Sequence, residues 1–214
     1  MLQAIHARGP DYTFFGVNCG YLGFLLNDLN GDPEAMALTI VDAFTTGAWF
    51  SRAFPRLRLR AHSERGVVEA FAVNDVYVER QSGDTCHLRV EVDGIAVVER
   101  MVCDGIIAAT PLGSTAYSFS AGGPAAHPLL HATHLTPICP HTPRLSPLLL
   151  PPESVVTIDV LDADRRPARA VADGMTYGDV TRVEVAGAPG HEVRIGFLNG
   201  HDFTGTMIRK ILHA

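Results

Sequence analysis

The sequence predicts an α+β protein of two domains, a partial N-terminal α/β (Rossmann-like) domain followed by an all-β sandwich. Three observations carry this prediction. A strand, a turn and a helix follow one another within the first 50 residues. Many short β-type runs fill the middle of the chain, and a helical pattern returns at its end. We place the domains at residues 1–52 and 53–194, with the tail 195–214 packing back on the N-terminal part and completing it.

The N-terminal domain is predicted from one strand and one clear helix. Residues 1–8 have the pattern of the later part of a helix, which the breaker pair Gly9-Pro10 ends. Residues 13–18 are typical of a buried strand, the only strand that we expect here. Asp32-Pro33 then offers an N-cap with proline at the first helical position, and apolar residues recur at helical spacing over residues 34–44. This order of elements is typical of an α/β unit.

The sandwich is predicted from alternating or β-branched runs separated by Asp-Gly and Ser-Gly turns. The proline-rich residues 137–152 are mostly apolar and predict an ordered but irregular crossing. Residues 203–212 predict a short C-terminal helix. The predicted strands are residues 57–60, 67–73, 86–92, 95–100, 106–109, 155–161 and 181–185.

Composition narrows the class of protein. The formal net charge of −6 argues against a nucleic-acid partner, which would need a clustered basic face. The four cysteines are scattered without a C-x-x-C pair, so we expect reduced thiols in a cytoplasmic protein. No apolar run reaches the roughly 20 residues that cross a bilayer, and we expect no membrane partner.

The most informative stretch runs from Asp104 to Pro124. A strand ends at Thr110, a glycine turn follows, and Ser114 or Thr115 can cap a short helix. The N-terminus of such a helix presents backbone N–H groups that suit a phosphate or pyrophosphate. Tyr117 would lie in the first turn, where its ring could pack on a base. The alternative from the pattern alone is a capped helix without any ligand, because glycine loops are weak motifs.

This stretch resembles the signature of the bacterial type of NAD kinase family, Asp-Gly, a strand, and then Thr-Pro-x-Gly-Ser-Thr-Ala-Tyr-x-x-Ser-x-Gly-Gly-Pro. Four further segments agree with the family in order and spacing, so the resemblance covers nearly the whole chain. They are Gly16–Leu25 (Gly-Val-Asn-Cys-Gly-Tyr-Leu-Gly-Phe-Leu), Asn74-Asp75, Leu135–His141 (Leu-Thr-Pro-Ile-Cys-Pro-His) and Asp173-Gly174.

The resemblance implies transfer of the γ-phosphoryl group of ATP, or of polyphosphate, to the adenosine 2′-hydroxyl of NAD, with a divalent metal ion such as magnesium accompanying ATP. It implies NAD, ATP or polyphosphate as partners and a homodimer or homotetramer. Asn74 and Asp75 would hold NAD, and Asp104 would accept a hydrogen bond from it. The implied pocket lining is Thr115, Ala116, Tyr117, Ser118, Phe119 and Ser120.

Two departures from the family matter. Leu112 stands where the family has a small residue, so one ligand contact is expected to be lost or replaced by packing. The sequence also contains no Gly-Gly-Asp-Gly, the loop that carries the proposed general base, and the resemblance implies that the chain is truncated just after that loop. We therefore assign no catalytic residue and no metal ligand, and we expect this chain to be inactive as given.

Three alternatives stay open at this point. The chain could be a non-catalytic NAD- or NADP-binding protein of the same fold. It could belong to the related lipid kinases, although the Ala116-Tyr117 and Asn74-Asp75 pairs argue against them. The histidines at 127, 131, 134 and 141 could suggest zinc, but the prolines among them disrupt any regular helical face.

Overall fold

The structure is a computed structural model that describes residues 1–19, 23, 26–29 and 32–212. The chain forms two compact units. Unit 1 consists of Met1–Phe54 and His191–Ala214, and unit 2 consists of Pro55–Gly190. In the family-like segment Gly16–Leu25, residues 20–22 and 24–25 lie outside the described part of the chain. Residue 20 is also the second residue of the turn expected at Cys19-Gly20. No helix in the described ranges is long and apolar enough to cross a membrane.

The elements have the following bounds. The helices are α1 (Leu2–Arg8), α2 (Pro33–Thr46), α3 (Tyr117–Ser120) and α4 (Phe203–Leu212), with a 3₁₀ turn at Gly113–Thr115. The strands are β1 (Thr13–Phe15), β2 (Trp49–Phe54), β3 (Leu57–Ser63), β4 (Gly66–Ala72), β5 (Asp75–Arg80), β6 (Cys86–Val92), β7 (Ile95–Cys103), β8 (Gly105–Ala109), β9 (Thr133–Ile138), β10 (Leu148–Leu150), β11 (Val156–Leu161), β12 (Ala168–Ala172), β13 (Met175–Tyr177), β14 (Arg182–Gly187) and β15 (Val193–Leu198).

Two helices of unit 1 form within two residues of their predicted bounds, 1–8 and 34–44. Helix α1 ends at Gly9, which has a φ of 78°. Helix α2 begins with the Asp32 carboxylate accepting the N–H of Ala35 at 2.9 Å, and Pro33 occupies the first turn. The helix ends at Gly47 in the left-handed conformation. Both predicted helices are therefore confirmed.

The sheet of unit 1 has three strands in the order β1-β15-β2, although the sequence predicted a single strand. Strand β15 comes from the C-terminal segment and pairs parallel to β1 and antiparallel to β2. The run Val-Arg-Ile-Gly-Phe-Leu was missed because a glycine in its middle weakens the strand signal. The rings of Phe54, Phe197 and Phe203 meet at centroid distances of 4.9–6.3 Å and form the centre of this unit.

Unit 2 is a sandwich of two six-stranded sheets in which every neighbouring pair is antiparallel. The first sheet has the order β10-β9-β8-β5-β12-β13 and the second has β4-β3-β14-β11-β6-β7. Side chains alternate between the core and the solvent, as on β3, where Leu57, Leu59 and Ala61 are buried while Arg58 and Arg60 are exposed. The predicted β-sandwich is confirmed.

Five strands of the first sheet lie outside the sequence prediction. Strand β12 reads Ala-Arg-Ala-Val-Ala, which has little β-branched character, yet its alanines are buried between the sheets. The expected irregular crossing at residues 137–152 is wrong in part, because it includes the end of β9, which pairs with β8, and the whole of β10, which pairs with the start of β9. Strand β5 was missed although it lies in the middle of the sheet, and it begins with the candidate residue Asp75.

Candidate functional site

The segment Val73–Asp75 enters strand β5 and is anchored by one carboxylate. Asp173 accepts the N–H of Val73 at 2.7 Å, that of Asn74 at 2.8 Å and that of Asp75 at 3.3 Å. Asp173 and Gly174 form the two-residue turn between β12 and β13 and both have positive φ, of 46° and 88°. Such hairpin turns favour Asp-Gly, because both central residues must adopt left-handed conformations.

The same segment is held from its other side by the end of strand β8. The Thr110 hydroxyl donates to the Val73 carbonyl at 2.7 Å, and the Thr110 N–H donates to the Asn74 carbonyl at 2.9 Å. Gly113 lies against the Asn74 carbonyl so closely that any Cβ at position 113 would collide with that oxygen. The close approach therefore requires glycine. We call Val73–Asp75, with these three supporting residues, the β5 entry site.

The two side chains of the β5 entry site lack partners within the described part of the chain. The half-buried Asn74 amide and the Asp75 carboxyl both form no hydrogen bond there. Asp75 is only 6% exposed. Burial, and secondly the charge of Asp173, raise the pKa of Asp75 to about 7. Asn74 and Asp75 are consecutive, and neither side chain has a hydrogen-bond partner in the described residues, which makes both of them candidates for ligand binding.

Two tyrosines lie on the outer face of the first sheet, the face that points away from the sandwich core. Tyr77 is two residues after Asp75 on β5, and Tyr117 is the first residue of α3. Their rings meet edge to face with centroids 5.1 Å apart. Burial and then the charge of Glu79 raise the pKa of both phenols. Sequence reasoning missed Tyr77, and the alternation of Asp75, Tyr77 and Glu79 on one strand face was the signal that could have found it.

The signature segment folds differently from the predicted capped helix. Ser114 and Thr115 do not cap a helix: they lie in the 3₁₀ turn, and α3 is a single turn without a side-chain cap. Ser114 is fully buried, donates to the Pro111 carbonyl at 2.6 Å and accepts the N–H of Ala126 at 2.9 Å. The prediction of a capping hydroxyl was wrong because tertiary partners engage Ser114, a competition that local sequence cannot show.

The other candidates in this segment differ in access. Thr115 is buried and its hydroxyl donates to the Leu112 carbonyl at 3.4 Å, and Leu112 itself is buried. Ser118 is fully buried and shares a 2.9 Å hydrogen bond with Thr136. Ala116, Tyr117 and Phe119 are half-buried, and Ser120 is exposed. Tyr117 and its two half-buried neighbours are therefore more accessible to a ligand than Thr115 or Ser118.

Asp104 lies at the opposite end of strand β8 from the β5 entry site. The register pairs Ala109 with Asp75 and Gly105 with Glu79, so Asp104 is about 17 Å from Ala109 along the strand. Its carboxylate accepts the Arg80 Nε–H at 2.8 Å. The structure thus brings Asn74 and Asp75 together and keeps Asp104 apart.

The chain is similar to known proteins over nearly its whole length. Residues 73–187 match the family model described as the ATP-NAD kinase C-terminal domain. The chain is 36% identical over 213 residues to an NAD kinase of Cereibacter sphaeroides, covering 98% of this chain and 81% of the relative. It is 34% identical over 207 residues to an NAD kinase of Brucella suis, with 95% and 77% covered.

Two solved structures are similar as well. The yeast NADH kinase complexed with NADH has a TM-score of 0.72 and 26% identity, and the similarity covers 88% of this chain but only 57% of the yeast chain. An NAD kinase from Archaeoglobus fulgidus in complex with ATP has a TM-score of 0.74 and 25% identity, with 94% and 74% covered.

Proposed function

Because this chain belongs to the NAD kinase family, we propose that its function is that of an NAD kinase, which phosphorylates the adenosine 2′-hydroxyl of NAD to give NADP with ATP as the phosphate donor. Since the sequence contains no Gly-Gly-Asp-Gly loop, we expect this chain by itself to bind NAD without forming NADP. The observation that supports this function most directly is the β5 entry site. There two adjacent polar side chains, Asn74 and Asp75, have no internal partner in the described residues, and their backbone is fixed from both sides.

The side chains of the β5 entry site suit the sugar of a dinucleotide. A ribose offers hydroxyls that both donate and accept hydrogen bonds. The Asn74 amide can donate and accept, and the ionised Asp75 carboxylate accepts only. Since the pKa of Asp75 is about 7, NAD that donates two hydroxyls to this carboxylate would stabilise its ionised form. These two residues are proposed to position the ribose, and the chain's scaffold keeps them in place before the ligand arrives.

The rest of the proposed NAD pocket lies along the outer face of the first sheet. Tyr117 would provide an aromatic surface for a base, with Ala116 and Phe119 beside it and Ser120 at the rim. Thr115 and Ser118 would shape the pocket from below through their buried hydrogen bonds. Asp104 would contact the dinucleotide only at the far end of β8.

The phosphate donor would be ATP, or polyphosphate in its place, together with magnesium. The described residues contain no group of three or more acidic, histidine or cysteine side chains that could hold a metal ion by themselves. Magnesium usually keeps several waters and binds through substrate phosphates and one or two carboxylates, so we propose that it arrives with ATP. The ion would neutralise phosphate charge. We further propose a cytoplasmic homodimer or homotetramer.

The proposal is tested by titrating NAD into the protein in a calorimeter and by measuring NADP formation from NAD, ATP and magnesium. Replacing Asn74 by alanine removes one good polar contact, so NAD affinity is expected to fall roughly 5- to 150-fold. Asn199→Ala, at an exposed asparagine of unit 1, is the control and should change nothing. Equal NAD affinity of Asn74→Ala and the parent would place the dinucleotide elsewhere. NADP formation by this chain would show that another carboxylate serves as the general base, against the expectation of an inactive chain.

A further inference from the structure

A second polar pocket lies in unit 2 beyond the other end of strand β5. Its volume is about 400 Å³. It is bounded by the loop between β5 and β6, the loop between β11 and β12, and the neighbouring strands β6 and β7. The lining side chains are Asp84, His87, Arg100, Asp162, Arg165 and Arg166. None of these residues belongs to the β5 entry site or to the signature segment.

A bulge in β7 delivers the first arginine of this pocket. The register pairs Leu88 with Met101 and Val90 with Val98, so β7 has one residue more than β6 between these pairs. As a result the consecutive residues Glu99 and Arg100 both point to the solvent face. Glu99 forms an ion pair with Arg89 of β6, whereas Arg100 lines the pocket.

The loop between β11 and β12 delivers the other two arginines. The Asp162 carbonyl accepts the N–H of Arg165 at 2.9 Å and that of Arg166 at 2.8 Å, which fixes a tight turn. The Arg166 guanidinium reaches across to the β5–β6 loop and donates to the Thr85 carbonyl at 2.6 Å and to its hydroxyl at 3.1 Å. The two loops are therefore tied together, and the pocket between them has a fixed shape.

The cations of the pocket exceed its anions. Arg100 lies 2.9 Å from His87 Nδ1 and 3.4 Å from the Asp162 carboxylate. The Asp162 carboxylate also lies 3.1 Å from His87 Nδ1, so these three side chains form one cluster. Arg165 makes no side-chain hydrogen bond or ion pair within the described part of the chain. Three guanidinium groups thus face the carboxylates of Asp84 and Asp162, in a chain whose net charge is −6.

We propose that this pocket binds a multiply charged phosphate anion, with Arg100, Arg165 and Arg166 as its ligands. Guanidinium groups recognise phosphate oxygens through paired N–H donors, and Arg165 has its donors available. An anion that binds Arg100 would replace its contacts with His87 at 2.9 Å and with Asp162 at 3.4 Å by charge-assisted hydrogen bonds. Apart from His87, which contacts Arg100 and Asp162, the described lining contains no aromatic ring that could stack a base, so the proposed ligand is a phosphate chain rather than a nucleotide recognised by its base.

The test is calorimetric titration of inorganic tripolyphosphate into the protein at low ionic strength. The parent is expected to bind it with a dissociation constant below about 1 mM. The double substitution Arg100→Gln with Arg165→Gln removes two charged donors and should weaken binding at least about tenfold. Arg58→Gln, at an exposed arginine on β3, is the matched control and should leave the affinity unchanged. Asp75→Asn should also leave it unchanged, which separates this pocket from the β5 entry site.

Three results decide the proposal. Selective loss in the double variant assigns the anion to this pocket. Equal affinity of the double variant and the parent, or no binding to the parent up to about 10 mM, overturns it. Cytidine triphosphate is titrated as a second ligand. The double substitution should weaken its affinity by the same factor as it weakens the affinity for tripolyphosphate. If the affinity for cytidine triphosphate fell by a factor more than about ten times larger than that for tripolyphosphate, the pocket would also recognise the nucleoside, which would contradict a site for the phosphate chain alone.

Discussion

Replacing Asp75 by asparagine should make the protein more stable at alkaline pH, although it alters the proposed NAD site. The Asp75 carboxyl is almost fully buried, has no hydrogen-bond partner among the described residues, and lies near the Asp173 carboxylate. Ionising it therefore costs free energy that no partner returns. Asparagine has nearly the same shape and never ionises, so it keeps the packing while it removes the buried charge.

The magnitude follows from the two pKa values of Asp75. Its pKa rises from an ordinary value of 3.8 to about 7 in the folded protein. Between these values the folded protein holds a proton that the unfolded chain has lost, so the free energy of unfolding decreases as the pH rises. Over this window the decrease amounts to about 4 kcal/mol, and above pH 7 it is complete. The asparagine variant lacks this decrease.

The assay is urea unfolding followed by circular dichroism at several pH values from 4 to 8. The variant should gain stability over the parent progressively, reaching about 4 kcal/mol at pH 8. Asp164→Asn, at an exposed aspartate, controls for the removal of one negative charge. A difference between variant and parent that stays constant across this range would refute the reasoning, since it would show that Asp75 does not change its protonation there.

Three further predictions concern the β5 entry site and the tyrosine of the proposed NAD pocket. Gly113→Ala should destabilise the protein by more than about 2 kcal/mol and abolish NAD binding, because its Cβ collides with the Asn74 carbonyl. Gly83→Ala, where a Cβ meets open space, is the control. Equal urea unfolding midpoints of the two variants would contradict the collision. Asp173→Asn should lower the free energy of unfolding by at least about 2 kcal/mol, because a charged acceptor of three N–H groups is lost. The control is Asp179→Asn, at another aspartate with positive φ, which should lower the free energy of unfolding in urea far less. An equal decrease in the two variants would argue against the anchoring role of Asp173. Tyr117→Ala should weaken NAD binding in calorimetry about tenfold through lost stacking, and unchanged affinity would remove the ring from the pocket.

The sequence predicts elements well where local signals act alone. Helix α2 has its cap at Asp32 and its proline at the first turn, and both are local features. The long alternating strands, such as β3 and β6, were predicted for the same reason. Strand β12 was missed because its alanines give little local strand signal. They are buried through packing against neighbours on the facing sheet, which the local sequence does not show.

The candidate site divides in the same way. Asn74 and Asp75 could be selected from the sequence by resemblance, and their side chains lack internal partners in the described residues. The support beneath them could not be selected, because Asp173 and Asn74 are 99 residues apart in the chain. The position of Asp104 also depends on the strand register, which no local pattern fixes. Ser114 shows the reverse error, a local capping signal that a tertiary contact outcompetes.

The anchor at Asp173 has a consequence for changing what this protein recognises. All the hydrogen bonds that it accepts from residues 73–75 come from backbone N–H groups, which every residue except proline carries. The identity of the side chains at positions 74 and 75 is therefore independent of the hydrogen bonds that hold them in place. A combinatorial library at these two positions would vary the chemistry offered to a ligand on a constant backbone. Selectivity could thus diverge here by single substitutions without an accompanying loss of the fold.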